Sequence, residues 1–118
     1  MTHHAAEHRT QAMNECIDNC TLCHAICLET INYCLGKGDM HGLFEDIALL
    51  ATCADICATR ASTLLRGAAI PPVICAACAE VCRQCVDACA QVGDDAQMQR
   101  CAEACRRCAE SCAAMARQ

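Results

Sequence analysis

Cys75, Cys78, Cys82, Cys85 and Cys89 follow one another at steps of 3, 4, 3 and 4 residues. That alternation averages 3.5 residues, the inward seam of an α-helix packed in a bundle, so thiols stand where leucine normally packs. The same stepping recurs twice. One seam reads Met13, Cys16, Cys20, Cys23, Cys27, Thr30 and Cys34, and the other Met98, Cys101, Cys105, Cys108, Cys112 and Met115. Cys53 and Cys57 complete the sixteen cysteines. Two thiolates at i and i+3 or i+4 lie on adjacent turns of one helix face, near enough to grip one ion.

Soft thiolate and thioether ligands select Cu(I), zinc or iron–sulfur clusters. Iron–sulfur clusters draw four cysteines from a folded-back loop, and the C-x2-C-x2-C run they favour is absent here. Structural zinc sites prefer loops or knuckles, and a zinc ion on four thiolates leaves a net charge of about −2 to be buried at each site. One Cu(I) per thiolate replaces one proton with one positive charge and keeps a full core neutral. Cu(I) also accepts two or three sulfurs and lets a thiolate bridge two ions, so a seam can fill at roughly one ion per thiol. Copper(I) fits best, with a zinc-binding structural protein as an alternative.

Three other uses of cysteine compete. A buried thiol can act as a small hydrophobe, which accounts for one or two in a domain rather than sixteen. Disulfides suit neighbours on one helix face poorly and belong to oxidising compartments. A thiol redox or stress sensor needs an accessible cysteine of low pKa beside positive charge. Arg106 and Arg107 flank Cys105 and Cys108, but arginines between seam residues point to water, and no Cys/His nucleophile pair stands out. No enzyme activity is expected.

These seams require helices to carry them. The residues between the cysteines are alanine and polar or charged types that suit a helix and include few strand formers. Helices are expected at about 5–35, 40–66, 71–92 and 95–116. Gly36 is expected as a left-handed residue closing the first, Asp39 as the N-cap of the second and Gly67 as its close. The third opens at Pro71 or Pro72, and Asp94 or Asp95 caps the fourth, Asp94 having the capping-box spacing to Gln97. Short connections favour an all-α, antiparallel, up-down-up-down four-helix bundle with a cysteine-lined core, in one domain over 1–118. The second helix is the exception, with Leu43, Phe44, Ile47, Leu49, Leu50, Ile56, Leu64 and Leu65 expected to supply much of the conventional packing. Asp46 and Arg60 fall at seam-compatible positions, and the helix is expected to rotate both outward.

A formal charge of −5 and scattered basic residues argue against nucleic acid or an anionic membrane as partner. The N-terminal stretch lacks the apolar run and cleavage site of a secretory signal, and no segment is expected to span a bilayer. A cytoplasmic protein with reduced thiols is the expectation.

An antiparallel bundle whose seams read C-x3-C-x2-C-x3-C in its first and fourth helices and C-x2-C-x3-C-x2-C-x3-C in its third resembles the bacterial copper storage proteins. The likeness covers Met13 to Met115, and the missing signal resembles the cytosolic branch. The resemblance implies storage of many Cu(I) ions inside the bundle and assembly as a homotetramer; copper-exchanging chaperones or chelators are the expected partners. It also implies one open end where His or Met side chains admit copper, to which His8, Met13 and Met115 correspond by position. His3 and His4 are expected in a solvated terminus, and His24 at a flank or subunit contact rather than on metal. Met40, His41 and Met98 fall at the other end, expected to be plugged by Leu35, Leu43 and Phe44.

Overall fold

The computed structural model describes residues 9–37, 44–68 and 72–117. They form four helices: α1, Gln11–Lys37; α2, Phe44–Leu65; α3, Pro72–Ala90; and α4, Ala96–Ala116. Each begins or ends where a side chain or glycine meets its orphaned backbone groups. Thr10 starts α1, its hydroxyl accepting from the amide of Met13 at 3.1 Å; the helix therefore opens at Gln11, later than expected. It also runs through Gly36, which takes no positive φ, to Lys37, whose ammonium lies 5.5 Å above the Tyr33 ring and complements the helix C-terminus.

The end of α2 follows expectation. Gly67 takes φ 66°, its amide donates to Leu64 and that of Ala68 to Thr63, both at 3.1 Å, the paired bonds of a Schellman motif. The capping of α4 resolves to Asp95, whose carboxylate accepts from the Met98 amide at 3.0 Å. No capping box forms from Asp94, because Gln97 turns inward and donates to the Thr30 hydroxyl at 3.0 Å. Asp39 and Pro71 lie outside the described residues.

Each helix packs against its neighbours in chain order, and α4 closes the ring against α1. Adjacent helices run antiparallel: Cys16 near the start of α1 meets Cys112 near the end of α4, while Cys34 meets Met98 at the opposite ends. All sixteen cysteines are buried. The larger apolar side chains buried beside them are Ile17 and Ile26 of α1, Leu50 and Leu64 of α2, and Met98 of α4; each such burial contributes about 1.5–3 kcal/mol. Ile47, Leu49 and Ile56 of α2 also pack against this core, so α2 supplies much of the conventional packing as expected, with α1 sharing it; Leu65 is exposed.

Two further expectations about α2 are corrected. Arg60 does not face outward; it is 1% exposed. It sits seven residues beyond Cys53 and three beyond Cys57, so the rotation that turns both thiols inward carries Arg60 in with them. By length and composition, Glu45–Leu65 also reaches the measure of a membrane-crossing helix. In the bundle its Leu50, Cys53, Ala54, Cys57, Ala61 and Leu64 are instead buried within the four-helix core.

Candidate metal centre

Along the bundle axis the thiols form a connected column. Cys16 lies 3.8 Å from Cys112, Cys112 3.7 Å from Cys20, and Cys20 3.4 Å from Cys108. From Cys108 the column passes to Cys57 at 3.5 Å, then to Cys82 and on to Cys53, each step 3.7 Å. Cys23 follows at 3.8 Å, Cys105 at 3.7 Å and Cys27 at 3.9 Å. Every one of these thiols is free. Thiolate–metal bonds of about 2.3 Å place two sulfurs on one ion no more than about 4.6 Å apart, so each step is short enough for an ion to bridge.

The sequence placed cysteines on seams, but it did not show that Cys53 and Cys57 stand at the centre of the array. Four sets of four thiols lie within 4.8 Å of one another: Cys20, Cys78, Cys108 and Cys112; Cys57, Cys78, Cys82 and Cys108; Cys23, Cys53, Cys57 and Cys82; and Cys23, Cys27, Cys53 and Cys105. These sets overlap, and only two of them at a time can be filled without sharing a sulfur. Independent tetrahedral sites cannot use all four. Ions that share sulfurs can, which is the behaviour of Cu(I) rather than of structural zinc.

The protonation of the column follows from its crowding. Cys16 is pushed up to about 12, chiefly by its hydrogen bond with Cys112. The thiol of Cys57 is raised by its contact with Cys108, and that of Cys105 by Cys101. Cys53 and Cys101 are held low, each first by its contact with Cys105. In each contact one sulfur keeps its proton and the other accepts, and burial opposes charging them all.

Outside the contacts of this column the seam continues. Cys89 is raised by its hydrogen bond with Cys101 and by burial, and Cys85 donates to the Leu49 carbonyl at 3.7 Å. Cys34 donates to the Met98 sulfur at 3.7 Å, a buried thioether beside the thiols that the seam pattern contained without singling out as a ligand. Leu35 does not plug that end; it is 63% exposed, being one position off the inward seam. Met40, His41 and Leu43 lie outside the described residues, as does the side chain of Phe44. Thr30, the seam position without sulfur, is buried and donates to the Ile26 carbonyl at 2.7 Å.

At the other end Met13 and Met115 come together as expected, half-buried on a cavity of about 200 Å³ that Arg60, Leu64, Ala68, Pro72 and Cys75 also line. The expectation that Arg60 faces outward arose because a charged residue reads as surface, although the phase of Cys53 and Cys57 points it inward. His3, His4 and His8 lie outside the described residues. His24 is half-buried on the flank, its Nδ1 donating to the Ala54 carbonyl at 2.8 Å. Arg106 and Arg107 reach the Glu103 carboxylate on the exposed face and so point away from Cys105 and Cys108.

Comparison with known proteins gives this architecture its relatives. The Nmul_A1745 protein of Nitrosospira multiformis superposes with a TM-score of 0.85 at 37% identity, covering 91% of this chain and 96% of its own. The Cu(I)-bound copper storage protein BsCsp3 of Bacillus subtilis gives 0.82 at 36% identity, covering 90% and 99%. The cytosolic copper storage protein of Streptomyces lividans, in a state with five coppers, gives 0.83 at 32% identity, covering 92% and 94%. Residues 9–117 match the family description of the copper storage protein, Csp. With cysteines lining the core of four antiparallel helices, this chain belongs to the copper storage protein family.

Proposed function

We propose that the chain stores and buffers Cu(I), holding many ions on thiolates along the inside of the bundle at roughly one per cysteine. The observation that carries this reading is the overlap of the four-thiol sets, which favours ions that share sulfurs. The ligands are Cys16, Cys20, Cys23, Cys27, Cys34, Cys53, Cys57, Cys75, Cys78, Cys82, Cys85, Cys89, Cys101, Cys105, Cys108 and Cys112. Copper enters at the end that Met13 and Met115 share, with His8 as a further ligand there. The role is binding rather than catalysis, and it belongs in the cytoplasm, where thiols stay reduced and copper chaperones or chelators load and unload the store. A homotetramer is the assembly this reading includes; Leu28 and Leu35, seven residues apart on α1, leave an exposed apolar stripe suited to a second copy.

The test is an anaerobic titration of fully reduced protein with Cu(I) against a coloured chelator, with Zn²⁺ in parallel. Uptake approaching one Cu(I) per cysteine and feeble zinc binding support the store. Saturation near four ions of either metal means discrete four-thiolate sites and overturns it.

A further inference from the structure

Arg60 is a buried cation for which the described residues supply no anion. Among them its Nη1 donates only to the Thr63 hydroxyl, at 3.4 Å, and its Nε has no hydrogen-bond partner. An uncompensated buried charge is costly unless something in the working cycle of the protein meets it. Arg60 lines the same cavity of about 200 Å³ as Met13, Met115 and Cys75. This cavity therefore offers an anion-binding group and soft, neutral metal ligands together. A bare Cu(I) ion is repelled by the first, and a simple anion gains nothing from the second.

One chemical class satisfies both. Cu(I) held by two thiolates is an anion that carries a soft cation at its centre. We infer that Arg60 anchors a docking site at this mouth for an anionic Cu(I) bis-thiolate complex of a small thiol, which hands its copper to the seam by ligand exchange. This inference rests on the copper-storage reading. In the exchange Cys75 Sγ forms a bond to copper, one copper–carrier bond breaks, and the Cys75 proton passes to the departing carrier sulfur. One carrier thiol leaves and no electron is transferred. The mixed complex keeps its single negative charge beside Arg60, and a second exchange onto another seam thiol releases the second carrier thiol in the same way. Met13 and Met115, being neutral, can hold the copper between these steps without altering that charge. A guanidinium suits the role because it stays charged at any working pH and presents its donors in a fixed fork.

The experiment compares initial uptake rates, under anaerobic stopped flow, from two donors: the anionic Cu(I) complex of glutathione and the cationic Cu(I) complex of acetonitrile. The ratio of the two rates is read for the wild type, Arg60→Gln and Arg60→Lys. Docking at Arg60 lowers the ratio about tenfold in Arg60→Gln and restores most of it in Arg60→Lys. An unchanged ratio in Arg60→Gln overturns the docking site while leaving storage intact, whereas a wild type that takes copper from neither donor overturns storage itself. If Arg60→Gln fails to fold, sulfate added to wild type at constant ionic strength decides the matter. It slows uptake from the glutathione complex alone if the site exists; equal rates with and without it overturn the site.

Discussion

The sulfurs of Cys57 and Cys108 lie 3.5 Å apart across the diagonal of the bundle, between two helices that are not neighbours in the ring. Cys57 also approaches Cys82 at 3.7 Å and Cys78 at 4.0 Å, so one thiol from the helix poorest in cysteine ties α2 to both α3 and α4. A sulfur so placed can serve more than one ion. Cys57→Ala is expected to lower Cu(I) capacity by more than the single ion that Cys75→Ala removes at the end of the array. Chelator titration of both variants checks this. The loss of a buried sulfur costs the apo fold about 1 kcal/mol, so both remain folded for the comparison.

Arg60 has a cost in stability that copper storage alone does not repay. Replacing the buried guanidinium with an apolar side chain of similar length, Arg60→Met, is expected to stabilise the metal-free protein by about 1–3 kcal/mol. Denaturant unfolding of apo protein at unchanged m-value measures it. A loss of stability would show that the guanidinium is well solvated or paired in solution.

Asp95 joins two jobs in one carboxylate. It caps α4 through the Met98 amide at 3.0 Å and accepts from the Tyr33 hydroxyl at 2.5 Å, binding the start of α4 to the end of α1. Asp95→Ala is expected to destabilise the protein by at least about 1 kcal/mol from the lost cap alone, and by more than Tyr33→Phe, which leaves the cap in place. Thermal unfolding of the two variants orders them.

Alkali should loosen the metal-free bundle. The pKa of Cys16 is raised from an ordinary 9.0 to about 12, so the folded state holds a proton that the unfolded chain gives up. Stability from this group is complete below about pH 9 and is lost as pH rises from there through about 12. Stability measured at pH 8 and pH 11 should therefore fall, and Cys16→Ser, which removes the titrating group, should fall less.

Much of this arrangement was legible from residue spacing. The 3-4 stepping of α1, α3 and α4 is unbroken, and because cysteine itself marks the inward face, the pattern names both the helix and the groups it presents. Met13 and Met115 were paired correctly for the same reason, since an antiparallel first and fourth helix must bring those ends together. What was not legible depended on phase and on competition between side chains. With only Cys53 and Cys57 to set it, the inward face of α2 was hidden among aliphatic residues on two sides, so the central place of Cys57 could not be read; the phase that turns both thiols inward also carries Arg60 in, against the expectation that a charged residue faces water. In sequence Asp94 has the stronger claim as cap, through its capping-box spacing to Gln97. The choice falls to Asp95 because Tyr33 reaches it while Thr30 draws Gln97 away. Gly36 resembles a helix stop, yet α1 continues past it to a lysine that suits its C-terminus.

The most direct test of a shared thiol column is copper K-edge X-ray absorption on reduced protein loaded with Cu(I) to near one ion per cysteine. Filling by shared sulfurs requires an all-sulfur shell of two or three ligands per ion together with short copper–copper scattering between bridged neighbours. Copper bound without copper–copper scattering, or with a shell dominated by nitrogen or oxygen, would contradict it and leave the thiols as isolated sites.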